Sequence, residues 1–153
     1  LTSRSPLNMY KIVVSLNLQM GSYQGKISGP LLDRIDMQIQ VGALAHEDLL
    51  KQATGESSEH VAARVAHASE RQLSRQGKHN NLLSGSEMDS HCKPDAAGEQ
   101  LLRTAMTRLN WSARAYHRVL KVARTIADLD DATTIKQAHV AEAIQYRRAL
   151  REQ

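Results

Sequence analysis

The sequence is poor in aromatic residues, and this limits the kind of core that it can build. Its 153 residues include one Trp, four Tyr and no Phe, which together make 3% of the chain. Sheets draw heavily on aromatic and β-branched residues, whereas helices accept Leu, Ala and Met. The composition therefore predicts a mainly α fold, in which a compact helical bundle has a core of Leu, Ile, Val, Ala and Met.

Cysteine and long apolar runs are also scarce. The single cysteine, Cys92, cannot form an intramolecular disulfide, so nothing indicates an oxidising compartment. No apolar run reaches the roughly 18 residues that a membrane-spanning helix requires. Residues 12–18 are apolar but lack the other parts of a signal peptide. We expect a cytoplasmic protein without a membrane partner.

The excess of positive charge is small. Lys and Arg number 20 and Asp and Glu number 16, which gives a formal net charge of +4. Such a balance permits contact with nucleotide phosphates or a nucleic-acid backbone. It is equally consistent with an ordinary solvated surface.

The chain divides into three segments by pattern. Residues 1–22 fit poorly with the rest, and we interpret them as a non-native or disordered leader. Residues 23–56 contain a short helix capped by Ser28 or Gly29, followed by a strand. The strand prediction depends on alternation of apolar and polar residues, with Ile35, Met37, Ile39 and Val41 on the apolar face. Residues 57–150 follow the helical period.

Residues 57–150 carry several signals for where helices begin and end. Ser57 or Ser58 can cap a helix that runs to about Arg75 and stops at Gly77. Other capping signals are Asp95, the boxes Ser84–Glu87 and Thr134–Gln137, and Asn110 or Ser112. The last of these opens the strongest helix, which extends to about Leu129.

The strongest helix has an apolar face and a basic face. The apolar face recurs at three-and-four spacing, through Ala115, Val119, Val122, Ile126 and Leu129. The basic face carries Arg114, Arg118, Lys121 and Thr125. Arg114 lies in the first turn, where free backbone N–H groups and the helix dipole favour an anion, and a guanidinium can bind phosphate oxygens as a fork. The alternative is a solvated face whose charges pair with Asp128 and Glu142.

A phosphate-binding loop is absent from the sequence. Residues 21–28 place three residues between Gly21 and Gly25, and Ile27 follows Lys26. A Walker A loop requires four residues there, and a Ser or Thr hydroxyl after the Lys to bind magnesium. No apolar run ends in paired acids either. We therefore do not expect this chain alone to hydrolyse ATP, and no histidine or cysteine spacing indicates a metal site.

Two segments resemble a known family. The run Ser28-Gly-Pro-Leu-Leu-Asp-Arg-Ile-Asp36 is similar to a segment of the Mg-chelatase-like ComM/YifB family. Residues 109–129, and the ending Ile144-Gln-Tyr-Arg-Arg148, resemble the C-terminal signature of that family. The resemblance implies a hexamer-like AAA+ ATPase, of which residues 57–150 are the helical lid and residues 23–56 are the end of the α/β core.

The resemblance also implies roles for three arginines. Arg34 corresponds to an arginine finger that acts on the nucleotide of a neighbouring subunit. Arg114 corresponds to the sensor-2 arginine, which contacts the nucleotide of its own subunit, and Arg118 is a second candidate for that contact. ATP and Mg²⁺ would be held by a core that lies upstream in the family. DNA is an implied partner, because ComM-type members are linked to DNA processing in natural transformation.

Two alternatives remain open from the sequence. The first is a non-enzymatic helical module that binds DNA or a protein, because the helices on either side of Asp130 and Asp131 resemble a helix-turn-helix. The acidic turn without glycine weakens that interpretation. The second is a subunit of Mg-chelatase itself.

Overall fold

The computed structural model describes residues 34–39, 41 and 55–148, and the helices of this part of the chain lie between residues 58 and 148. The elements in order are α1 (Ser58–Gln76), a 3₁₀ turn (Asn80–Leu82), α2 (Gly85–His91), α3 (Ala96–Leu109), α4 (Ala113–Leu129) and α5 (Gln137–Arg148). The mainly α class predicted from composition is confirmed. The leader predicted over 1–22 and the short helix predicted to start near Ser28 lie outside the described residues.

Most helix boundaries follow the capping signals. The Ser57 hydroxyl accepts the N–H of His60, the Asp95 carboxylate accepts that of Gly98, and the Ser112 hydroxyl accepts that of Ala115. A capping box formed by Ser84 and Glu87 starts α2. Gly77 ends α1 in the left-handed region, at a φ of 70° that favours glycine.

The predicted start of the last helix was wrong. The last helix begins at Gln137, so the predicted Thr134 capping box does not form. Ile135 instead makes a parallel bridge with Pro94, and the Lys136 N–H donates to Nδ1 of His139 at 3.0 Å. Because the bridge holds Ile135 in an extended conformation, the helix can start only after it.

The strand predicted over residues 35–41 is not formed by the described residues of that segment, which are 35–39 and 41. The N–H of Gln38 donates to the carbonyl of Tyr146 in α5 at 2.8 Å. A strand is stable only beside other strands. In the described part of the chain, the end of a helix takes the place of a neighbouring strand.

Helix α4 lies at the centre of the bundle. It packs against α1, α2, α5 and the 3₁₀ turn, while α3 packs on α5. The core cluster comprises Leu83, Met88, Cys92, Leu102, Ala105, Trp111, Ala115, Val119, Leu120, Ala123, Ile126, Ala127, Ile135, Val140, Ala143 and Ile144. None of the described helices is long and apolar enough to cross a membrane.

The apolar face of α1 stays outside this core. Val61, Val65 and Leu73 keep 38%, 53% and 45% of their surface exposed. Every residue from 55 to 67 is exposed, whereas Ala68 and Gln72 are buried. The second half of α1 therefore attaches to the bundle, and it does so mainly through polar side chains.

The attachment is a buried polar network around Asp128, whose side chain is 0% exposed. Arg75 of α1 donates to both carboxylate oxygens of Asp128, at 2.6 and 3.1 Å. Arg124 pairs with the same carboxylate at 3.0 Å and donates to the carbonyl oxygens of Ala132 and Thr133. Asn80 donates to Asp128 at 2.9 Å. One carboxylate thus joins α1, the 3₁₀ turn, α4 and the loop before α5.

Replacing Asp128 with Asn should lower the free energy of unfolding by about 3 to 5 kcal/mol, because Arg124 and Arg75 would lose their shared counter-charge while remaining buried or half-buried. Urea unfolding followed by circular dichroism measures the change. The exposed Asp89, replaced with Asn, is the matched control and should shift stability by less than about 0.5 kcal/mol. Equal stability of the two variants would contradict the role given to the network.

The Glu87 carboxylate should contribute stability that depends on pH. Its pKa is lowered from 4.5 to about 2, first by the ammonium of Lys78 and then by the N–H and hydroxyl of Ser84. Because the folded pKa lies below the ordinary value, this contribution is complete above about pH 4.5 and disappears as the pH falls towards 2. A carbon-13 NMR titration of the carboxyl group, with Glu87→Gln as the reference for unfolding, measures it. A carboxyl that titrates near 4.5 would contradict this expectation.

Candidate functional site

The start of α4 presents Arg114 to solvent. Ser112 caps the helix with its hydroxyl, which accepts the N–H of Ala115 at 3.2 Å. Trp111, immediately before the cap, is buried, so the start of the helix is fixed to the core. Arg114 follows in the first turn with an exposed side chain. A cation at this place lies beside the positive end of the helix dipole, and both attract an anion.

Arg118, one turn further along α4, is paired rather than free. Its guanidinium forms an ion pair with the carboxylate of Asp36, across 82 positions of the sequence. The Arg118 side chain is 26% exposed and that of Asp36 is 56% exposed. The two residues belong to the two separate segments that carry the family resemblance.

Two further contacts hold the same segment against the bundle. Nη1 of Arg147 donates to the carbonyl of Ile35 at 2.9 Å, and the N–H of Gln38 donates to the carbonyl of Tyr146 at 2.8 Å. Arg147 is 7% exposed, and its guanidinium carbon lies 6.0 Å from the centroid of the Trp111 ring. Residues 35–38 are therefore docked on the last turn of α5 and on the first half of α4.

Arg34 immediately precedes this docked stretch and is exposed. It lies two positions before Asp36, so its backbone is tied to α4 through the Asp36–Arg118 pair. Of the three arginines predicted from the sequence, Arg34 and Arg114 face solvent and Arg118 links their two segments.

The other two residues predicted on the basic face of α4 form hydrogen bonds within the bundle. Lys121 donates to the carbonyl of Asn81 at 2.9 Å, and Thr125 accepts from Asn80 at 3.1 Å. The alternative pairing of this face with Asp128 and Glu142 was wrong. Asp128 pairs with Arg75 and Arg124, and Glu142 accepts a hydrogen bond from the hydroxyl of Tyr146 at 2.9 Å.

Sequence reasoning missed the contacts made by Asp36 and Arg147. The sequence identified Asp36 only as part of a motif. Its ion pair with Arg118 could not be predicted, because a contact between residues so far apart in sequence produces no periodic pattern. Arg147 did give a weak signal, because it occupies the apolar face of α5 with Val140, Ala143 and Ile144. An arginine on a buried face usually has a dedicated partner, which here is a backbone carbonyl and the indole of Trp111.

Between Gln137 and Tyr146, helix α5 exposes no basic side chain of the kind that a DNA-recognition helix presents. Its exposed positions between Gln137 and Tyr146 are Gln137, Ala138, Glu142 and Gln145, which bear no positive charge. In the turn before it, Asp131 pairs with Arg71 and Asp130 lies 3.2 Å from Nε2 of His139. This geometry disfavours the helix-turn-helix alternative, since Lys and Arg supply most of the electrostatic attraction of such a helix for the phosphate backbone.

Cys92 has no features of a nucleophile. It is completely buried, and desolvation raises the pKa of its thiol from 9.0 to about 11, despite the positive charges of Arg124 and Arg75. Within the described part of the chain, no group of three His, Cys, Asp or Glu side chains could hold a metal ion.

Comparison with known proteins identifies the family. Residues 55–147 match the family described as magnesium chelatase, subunit ChlI C-terminal. The chain belongs to this family. Residues 7–49 match a second family, magnesium chelatase, subunit ChlI, and this match overlaps the segment interpreted from sequence as a leader. The boundary at residue 22 stays a prediction.

Relatives with ComM and YifB names match most of the chain. It is 41% identical over 134 residues to competence protein ComM of Haemophilus influenzae, which is 87% of this chain and 26% of ComM. It is 40% identical over 126 residues to the uncharacterised protein YifB of Escherichia coli, which is 82% of this chain and 25% of YifB. The resemblance to the ComM/YifB group is therefore confirmed, and the chain spans about a quarter of the length of these relatives.

The Cys92 thiol should react slowly in the folded protein. A pKa of about 11 instead of 9.0 reduces the thiolate fraction at pH 8 about a hundredfold, and burial blocks access as well. The rate of colour release from a disulfide dye measures this, with the urea-unfolded chain as the control. Reaction of the folded chain at the unfolded rate would contradict the burial of Cys92.

Proposed function

We propose that this chain is the helical lid, with the end of the adjoining core, of a longer Mg-chelatase-related AAA+ ATPase of the ComM/YifB type. In this proposal, Arg114 contacts the ATP of its own subunit, and Arg34 reaches the ATP of the neighbouring subunit in a hexamer-like ring. The observation that carries it is the docking of residues 35–38 on the helix whose first turn presents Arg114.

The chemistry of the two arginines suits phosphoryl transfer. A guanidinium is always charged and can donate two parallel hydrogen bonds to phosphate oxygens. Negative charge spreads over the transferred group as its bond to the leaving oxygen breaks, and a well-placed arginine stabilises that charge. Arg34 and Arg114 are both exposed, so each can reach a group outside this chain.

The residues present fit one part of an ATP site and not the other. Arg34 and Arg114 supply the positive charge that phosphate oxygens require. The loop that encloses the phosphates and the hydroxyl that binds Mg²⁺ have no match in residues 21–28. ATP and Mg²⁺ are therefore proposed to be held by a core domain from the three quarters of the relatives that this chain does not match.

The proposed output of this ATPase is the remodelling of DNA. One relative carries the name competence protein ComM, and the resemblance to ComM-type members implies DNA processing. In the described residues, the exposed surface of α5 lacks the charge for direct phosphate contact. DNA is proposed to bind to another part of the longer protein, while this chain contacts the nucleotide.

The proposal is tested in a chimera in which this chain replaces the matching quarter of ComM from Haemophilus influenzae. Arg34→Ala and Arg114→Ala should each reduce ATP hydrolysis by about 1,000-fold or more, the usual cost of removing an arginine from the transferred phosphate. Arg108→Ala, which removes an exposed arginine at the end of α3, is the matched control and should retain activity.

Mixing experiments separate action on the same subunit from action on a neighbour. Subunits with Arg34→Ala should regain hydrolysis when mixed with subunits whose core lysine for phosphate is replaced, because the second kind still provides Arg34. Subunits with Arg114→Ala should not regain it. A chimera that fails to hydrolyse ATP, or keeps full turnover in both variants, would contradict the proposed function.

A further inference from the structure

We propose that Arg118 is a positioning residue for Arg34 and does not contact nucleotide. By pairing with Asp36, it ties the Arg34 segment to the helix that begins with Arg114, so that a displacement of one is passed to the other. This inference rests on the proposed function for the roles of Arg34 and Arg114. The contact itself belongs to this chain and can be tested without hydrolysis.

The geometry gives a short connection between the two arginines. Arg114 and Arg118 are four residues apart on α4, which separates them by about 6 Å along the helix axis. Arg118 pairs with Asp36, and Asp36 lies two residues from Arg34. A response to nucleotide at Arg114 thus reaches the Arg34 backbone through one helical turn and one ion pair.

The ion pair between Asp36 and Arg118 is a contact with a side chain of the docked segment. Arg147 and Tyr146 bind the main chain, at the carbonyl of Ile35 and the N–H of Gln38. Main-chain contacts form with almost any sequence, whereas the Arg118 contact requires a carboxylate at position 36. Arg118 therefore fixes which residue of the segment lies against α4, and so fixes the place of Arg34.

Arg118 differs from Arg114 in its burial and in its ion pair. Its side chain is three-quarters covered and engaged with a carboxylate, whereas Arg114 is exposed. The carboxylate of Asp36 offsets the positive charge of the Arg118 guanidinium, so the pair attracts a phosphate less than a single arginine does. The two arginines, one helical turn apart, thus have different roles. Arg114 contacts the nucleotide, and Arg118 holds residues 35–38 against α4.

The first test is nitrogen-15 NMR relaxation of the 153-residue chain. In the wild type, the amides of residues 35–39 should have order parameters near 0.85, typical of a rigid backbone. Arg118→Gln and Asp36→Asn should each reduce them below about 0.6, typical of a flexible backbone, and the double variant should add little. The reversed pair, Arg118→Asp with Asp36→Arg, should restore rigidity.

Arg114→Gln is the matched control for this measurement, because it removes the same charge one turn away. It should leave the order parameters of residues 35–39 unchanged. Unaltered amide shifts along α2, which makes no described contact with residues 35–39, would show that the variants stay folded. Residues 35–39 that remain rigid in Arg118→Gln, or an equal loss of rigidity in Arg114→Gln, would overturn the proposal.

The second test uses the chimera and its mixing experiment. Arg118→Gln should behave like a weakened Arg34 variant, with kcat reduced by up to about 100-fold through misplacement and the KM for ATP unchanged. Mixing with subunits that lack the phosphate-binding lysine should restore its hydrolysis. A raised KM without restoration would mean that Arg118 binds nucleotide, and this inference would fail while the roles of Arg34 and Arg114 stood.

Discussion

The carboxylate of Asp128 is the interaction on which the rest of the bundle depends. It is fully buried in the middle of the described structure and receives donors from Arg75, Arg124 and Asn80. A buried carboxylate is costly unless each oxygen has partners, and here both oxygens do. Burial of Arg124 adds to that cost, since desolvation lowers the pKa of its guanidinium, and the charge of Asp128 acts in the opposite direction. The network therefore favours one arrangement of the helices over others of equal apolar burial.

The rigidity that follows from this network bears on the candidate site at the other end of α4. The Asp128 end of α4 is fixed to α1 and to the loop before α5, and the Trp111 end is fixed by an indole in the core. A helix held at both ends moves as one body. Arg114 and the docked residues 35–38 therefore share the frame of α4.

Local signals predicted the fold well because they act within a few residues. The caps at Ser57, Asp95 and Ser112 each bind an N–H three residues away, so they can be read directly from the sequence. The Thr134 box failed because a partner outside its own segment, Pro94, held Ile135 in an extended bridge. The apolar residues of α1, such as Val61 and Val65, recur at helical spacing, but this spacing does not indicate which side of the helix packs on the bundle.

The candidate site was predictable only in part, for a related reason. Arg34 and Arg114 could be named because their surrounding residues resemble a family signature. The pairing of Arg118 with Asp36 could not, because the energy of an ion pair depends on distance in space and the two residues lie 82 positions apart in sequence. The same holds for Arg147, whose carbonyl partner on Ile35 is 112 positions away.

Helix α1 combines two kinds of helix in one continuous element. From Ala68 onward it is held by Gln72, Arg71 and Arg75, whereas residues 58–67 have no buried side chain. A helical stretch of that length gains little from propensity alone, so its opening free energy should lie near zero at the first turn and rise towards the network. Amide hydrogens should therefore exchange with solvent in a gradient along a single helix. Helix α1 would then be rigid where it packs on α4 and would open readily at its N-terminal end.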